Sequence, residues 1–298
     1  MPKQQHKLKF EISIERVYKT DLNSIQYIAI CSDGSMWMGD ATRSKLQHVK
    51  CKENKTKVIT SLNTEVFGIA KNHSNNFLVA TNSTKLKLIN TMTGQITDSM
   101  YDVKPFTPTS VHVTNDHRVM IGAVTPANHV PATGRRVVIV LDQNGKQLSE
   151  YELDNHNKHL FALPIFITST SHGNICVVDW SDTDDRGRII VFAPGGDILG
   201  NYTGHPDVNT EKDPFKPVGI LTTPSDNIVV TDLNNHHLHI LTNIGQSITY
   251  YNLYDIGIIY PISLALSTSG TIYLGCVNKL GNAETTKAKL YELYYSGF

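Results

Sequence analysis

Apolar and polar residues along this chain fall into short runs, either continuous or alternating, broken by Gly, Asn, Asp and Pro. Helical periodicity is almost absent, so the pattern is that of strands and turns. The clearest stretch is 174–193, NICVVDWSDTDDRGRIIVFA, where an apolar run ends in Asp179, a polar loop follows, and Arg188 opens a second apolar run. The same arrangement recurs with a different loop each time. A cation or histidine opens the later strand at Lys45, Lys85, Arg136, Arg188, His237 and Lys289, at steps of 40, 51, 52, 49 and 52 residues.

Several short strands per repeat of roughly 40–50 residues predict a β-propeller. Six units align, with strands a to d running outward from the axis. The inner strands are 25–31, 66–71, 109–114, 164–169, 217–222 and 261–266. A proline precedes or opens four of them (Pro108, Pro164, Pro217, Pro261), where a fixed φ and a missing donor are tolerated. The a–b turns carry Asp33-Gly34, Asn75-Asn76, Asp116-His117, Gly173-Asn174, Asp226-Asn227 and Ser269-Gly270, all residues that accept φ > 0. The last unit lacks strand d, while residues 10–19 alternate on Ile12, Ile14 and Val17 as an outer strand would. The expectation is therefore an all-β, six-bladed propeller over residues 10–298. The N-terminal strand pairs with the last blade so that no sheet edge is left open, and residues 1–9 form a loose tail.

Asp40, Asp179 and Asp232 end strand b shortly before a cation or histidine, which predicts a brace across the b–c loop. Thr81, Ala123 and Cys276 in the other units argue against a ring of ligands.

Composition narrows the function. Lys+Arg and Asp+Glu both number 27, so there is no global field to draw in nucleic acid or anionic lipid. Cys31, Cys51, Cys176 and Cys276 form no C-x-x-C pair and read as buried thiols in a reducing compartment. With no apolar N-terminal segment and no run of ~18 apolar residues, a cytoplasmic location without a membrane span is expected.

The block of proline, glycine or apolar residue, Asp/Asn-rich turn, apolar strand, Asp and a His/Arg/Lys-led strand, best seen in PVGILTTPSDNIVVTDLNNHHLHIL (217–241), resembles the NHL repeat. The likeness extends over six units and suggests the propellers of invertebrate tripartite-motif proteins. Such a relationship implies a module that binds protein or RNA, with ubiquitin transfer supplied by RING and coiled-coil parts. This chain has no Cys/His-rich zinc pattern and no heptads.

The long b–c and d–a loops share one face of such a ring, and loops longer than a hairpin needs are commonly used for binding. The expected contact residues are Arg43, Lys104, Phe106, Arg135, Lys158, Trp180, Arg186, Lys212, Phe215 and Lys216. Acidic residues on the same loops (Asp154, Asp182, Asp184, Asp185, Glu211, Asp213, Asp255, Glu284) cancel the charge, whereas a phosphate-tracking surface is lopsidedly basic. The resulting expectation is a non-catalytic, monomeric scaffold for a protein partner. RNA is the alternative, and DNA, membrane, metal and cofactor are not expected. A metal-dependent propeller hydrolase or lyase ranks third. The inner strands present apolar residues (Ile28, Ile69, Val111, Ile167, Ile220, Leu264), and His156, His159, His205 and His236 match no zinc spacing.

Overall fold

The computed structural model describes residues 10–126, 134–181, 186–278 and 287–297. Among these there is no α-helix, only two 3-10 turns at Ala41–Arg43 and Leu253–Ile256. Among the described residues no helix is long and apolar enough to cross a membrane.

Strand β1 (Glu11–Lys19) precedes a series of four-stranded meanders. The first is β2 (Tyr27–Ile30), β3 (Met36–Asp40), β4 (Lys45–Lys52) and β5 (Lys55–Asn63). The second is β6 (Gly68–Lys71), β7 (Phe77–Ala80), β8 (Lys85–Ile89) and β9 (Ile96–Asp102). The third is β10 (Thr107–Val113), β11 (Val119–Val124), β12 (Arg136–Leu141) and β13 (Gln147–Tyr151). The fourth is β14 (Pro164–Ser169), β15 (Ile175–Trp180), β16 (Gly187–Phe192) and β17 (Ile198–Tyr202). The fifth is β18 (Pro217–Thr222), β19 (Ile228–Asp232), β20 (His237–Leu241) and β21 (Ser247–Asn252). Then come β22 (Pro261–Leu266), β23 (Ile272–Cys276) and β24 (Lys289–Ser296).

Hydrogen bonding joins these strands into four sheets of four strands and one of eight, ordered β2-β3-β4-β5-β1-β24-β23-β22. Within the larger sheet β1 lies antiparallel to β24 from Glu11↔Ser296 to Lys19↔Lys289, with a bulge between Ile14 and Arg16. Its link to β5 is a single parallel bridge, Lys19↔Lys55. The first and last parts of the chain are thus stitched together through β1. The inner strands touch in a closed cycle, β2 to β6, β10, β14, β18, β22 and back to β2.

Burial follows position in the ring. Middle strands such as β7, β11 and β12 are buried at every residue, because sheets cover both of their faces. That is why FLVA, VMIGAV and RVVIVL read as continuous runs rather than alternation. Each neighbouring pair of meanders encloses its own apolar cluster, for example Trp37, Leu46, Phe77 and Ile89 between the first and second. Each such side chain contributes roughly 1.5–3 kcal/mol on burial. Positive φ occurs where the turn chemistry predicts it, at Gly34, Asn75, His117, Gly173, Asp226 and Gly270. Gly219 answers to close approach instead, since a Cβ there would stand 2.9 Å from Ile262 O of the next inner strand.

Asp40 and Asp232, which end β3 and β19, and Asp179, next to the end of β15, are buried, with 1 %, 0 % and 1 % exposure. Their shared task is to accept backbone amides from the segment leading into the inner strand. Asp179 Oδ1 accepts from Ala162 and Leu163 N, both at 2.8 Å. Asp40 Oδ2 accepts from Asn23 N at 2.8 Å and Ser24 N at 3.3 Å, and Asp232 from Lys216 N at 3.2 Å. The expected cation brace forms in the fourth meander, Arg188 Nε to Asp179 Oδ2 at 2.9 Å. Elsewhere Lys45 turns to Asp21 and His237 Nδ1 to Asn235 O.

Candidate functional site

The cycle of inner strands encloses a cavity of about 390 Å³ on its axis. Its walls carry one layer of apolar side chains, Ile28, Ile69, Val111, Ile167, Ile220 and Leu264, one from each inner strand. The rings of Tyr27 and Phe166 lie 5.6 Å apart. Their strands, β2 and β14, are three steps apart either way around the cycle, so this contact crosses the axis. It floors the cavity near the strand starts. The other end of the lining reaches Cys31, Lys71, Val113, Leu266 and Thr268, beside the a–b turns. Ser169, which holds His112, lies three positions beyond Phe166 along β14, so the cup is roughly 10 Å deep at about 3.3 Å per residue.

Polar groups line both ends of the cup, Gln26, Ser110 and Ser263 near the strand starts and Lys71, His112, Thr168, Thr222 and Thr268 toward the open end. His112 lines the wall, and its Nε2 lies 2.9 Å from Ser169 Oγ. Thr168 and Thr222 hydroxyls meet at 3.1 Å. Lys71 Nζ donates to Ser32 Oγ at 2.8 Å. Cys31 Sγ is 3.6 Å from His48 Nε2, which also contacts Ser35 Oγ at 2.7 Å. The lining contains no Asp or Glu. Burial pushes the His112 imidazole down to about 4, so it is neutral at pH 7. Burial pushes the Cys31 thiol up, which disfavours a thiolate there.

No protein-family model matches the sequence, and no curated protein matches it. Solved structures do match in fold. A catalytically inactive variant of virginiamycin B lyase from Staphylococcus aureus, solved with quinupristin, is 14% identical with a TM-score of 0.58, over 96% of this chain and 99% of that one. A luciferin-regenerating enzyme is 10% identical with a TM-score of 0.66, over 97% and 98%. Regucalcin from Agrobacterium tumefaciens, a calcium-binding protein, is 13% identical with a TM-score of 0.64, over 91% and 90%. The chain is a β-propeller.

These likenesses correct two expectations. The propellers named are a lyase, a luciferin-regenerating enzyme and a calcium-binding protein, and none is a tripartite-motif protein. The reading as a non-catalytic scaffold for a protein partner, and the conclusion that the chain is not an enzyme, are therefore withdrawn. At these identities the likeness carries the fold and no residue role.

A second cavity, of about 560 Å³, lies among the long loops of the propeller and is lined by Asp179, Ser181, Arg186, Arg188, Asn209, Glu211 and Phe215 among others. Arg188 is paired with Asp179, and Arg186 donates to Glu211 O at 3.2 Å. Of the expected contact residues, Arg186 and Phe215 line this cavity, and Lys216 Nζ sits 5.3 Å from the Trp180 ring centroid. Trp180 Nε1 donates to Pro217 O at 2.6 Å. Phe215 and Lys216 are buried, so they pack the blades rather than present a docking surface. Phe106 is buried too, beneath the Arg135 guanidinium at 5.0 Å. Arg135 is committed to Glu150 and Glu152 at 2.5 and 2.6 Å. Arg43, Lys104, Lys158 and Lys212 are exposed on separate loops. Residues 1–9, Asp182, Asp184, Asp185 and Glu284, named above, lie outside the described residues.

Sequence reasoning missed His112, Ser169 and Lys71. A signal was present. In the inner-strand column Ala29, Ala70, His112, Thr168, Leu221, Ala265, one position is ionisable, and in the next column Lys71 stands alone among Ile30, Val113, Ser169, Thr222 and Leu266.

A pH dependence of stability follows. Histidine in an unfolded chain titrates near ~6.5, above the folded value of His112, so the unfolded state takes up the proton first as pH falls. The contribution of His112 is complete above ~6.5 and is lost on the way down to about 4, a change of about 3 kcal/mol. His239, buried and held below its usual value by desolvation against the pull of Asp232, acts in the same direction. Burial works to raise Asp232, but hydrogen bonds from His239, Asn235 and Asn209 outweigh it and hold the carboxyl low, which adds to the loss in acid. Urea unfolding at pH 7.5 and pH 4.5 should show this drop, and His112→Gln should reduce it.

Proposed function

We propose that this chain is a six-bladed propeller enzyme of the hydrolase or lyase type, acting on a small, mostly apolar organic substrate held in the axial cup. The count of six follows the closed cycle of inner strands, with β1 completing the last blade beside β24. The observation that carries the reading is the neutral imidazole of His112 on the wall of a floored, apolar cup, with a serine hydroxyl 2.9 Å from Nε2. A neutral imidazole is a proton acceptor, and exclusion of water by the apolar wall strengthens its interaction with a developing charge. His112 takes the role of general base, and Ser169 orients the ring or relays the proton.

A resident cation fits poorly. The cup offers no carboxylate, and among the described residues no three His, Cys, Asp or Glu side chains gather to hold a metal. No step proposed here runs through one.

The test is turnover of a lactone and an ester, dihydrocoumarin and p-nitrophenyl butyrate, by the wild type and by His112→Gln. Loss of a general base should lower kcat/KM by ~10² or more. The wild-type rate should rise through about pH 4 and level off above ~6, following the imidazole. A His112→Gln protein with wild-type turnover and an unchanged melting temperature would refute the assignment.

A further inference from the structure

The cup combines apolar walls, a floor of two aromatic rings and one formal charge. Every side chain lining it is uncharged at pH 7 except Lys71, given the neutral state of His112. Lys71 stands at the strand end next to the a–b turn, half-buried, with its ammonium on the exposed Ser32 hydroxyl at 2.8 Å. Ser32 is a neutral partner. Among the described residues no Asp or Glu forms an ion pair with Lys71, whereas Lys45, Lys87, Arg118, Arg135 and Arg188 each have one. An ammonium without a carboxylate partner interacts more strongly with an incoming anion than a cation already neutralised does.

We propose that the ligand of the cup is an organic anion with an apolar body. Its carboxylate pairs with Lys71 at the open end, and its body lies along Ile69, Val111 and Ile220 toward the Tyr27–Phe166 floor. This deepens the enzymatic reading by naming the substrate class. It rests on the same cup but on a different residue. The depth of roughly 10 Å suits an extended chain or a single ring system bearing one acid group. Lys71 and His112 both line the cup and stand on neighbouring inner strands, β6 and β10.

The experiment is calorimetric titration of octanoate and its neutral analogue octanamide into the full chain and into Lys71→Met. Lys71 is on the rim with a single hydroxyl partner, so the substitution should leave the melting temperature unchanged. The expected result is octanoate binding at least tenfold tighter than octanamide to the wild type, with that preference weakening as salt is added. In Lys71→Met the preference should vanish while octanamide binds as before. Equal binding of the two compounds, binding of neither, or a preference that survives Lys71→Met would overturn the proposal. Loss of turnover in His112→Gln alongside equal binding of acid and amide would leave the enzymatic reading standing and remove this one. A charge preference that depends on Lys71 without any dependence of turnover on His112 would do the reverse.

Discussion

Removal of residues 1–19 should leave a chain that does not reach a soluble, cooperative fold. Strand β1 is the outer strand against β24, and its loss opens a long hydrogen-bonding edge on the last blade. It also exposes the cluster that Ile12 shares with Leu238, Leu274 and Leu293, against which Phe10, Ile14 and Val17 pack. Tyr18, only 3 % exposed, contributes to the neighbouring cluster with Leu22 and Leu290 and donates to Glu292 Oε2 at 2.5 Å. Burial of Ile12 and Tyr18 alone is worth about 1.5–3 kcal/mol each, out of a typical total of roughly 5–15 kcal/mol. Size-exclusion chromatography and thermal melting check this: the truncated chain should aggregate or melt without a cooperative transition. A synthetic peptide of residues 10–19 should restore part of the transition by adding the missing strand. A truncated protein that melts like the parent would show that the ring does not need this strand.

Asp179→Ala is the point substitution with the largest expected cost. It removes the acceptor of the Ala162 and Leu163 amides and the partner of the Arg188 guanidinium, whose other N–H group holds Leu160 O at 2.9 Å. A part-exposed guanidinium and two part-buried amides then lose their acceptor, a loss of about 3 kcal/mol. The melting temperature should fall by roughly 10 °C. Asp179→Asn keeps one carbonyl oxygen for the amides and should cost less. Burial raises the Asp179 pKa, against the lowering effect of Arg188 and the two amides. The carboxylate therefore adds nothing to the acid lability ascribed to His112. A melting temperature for Asp179→Ala within a degree or two of the wild type would show that the loop before β14 is held by other contacts.

Much of the architecture was legible in the sequence because it is repeated. The Asp-Gly, Asn-Asn and Asp-Asn turns place positive φ at Gly34, Asn75 and Asp226, and hairpin turns fix register locally. The continuous runs of β11 and β15 were legible as strands, and the structure covers both of their faces. The alternation of residues 10–19 pointed to an outer strand, and β1 takes that place against β24. The aspartates were read as half of an ion pair with the following cation. Their amide partners arrive from residues 16–17 positions upstream, across the turn between meanders, which adjacency in sequence does not reveal.

Function was less legible. Long loops drew attention to Phe106, Phe215 and Lys216, which the structure buries between blades. The cup instead uses single residues from strands far apart in the chain. His112 and Ser169 are 57 positions apart, and Tyr27 meets Phe166 across the axis. Local chemistry determined the strands, the turns and the repeat, because φ preferences and the alternation of burial act over two to eight residues. The closure of the ring selected which residues share the axis, since only a closed cycle brings six inner strands within reach of one ligand. That convergence gave the cup its floor, its neutral imidazole and its single ammonium.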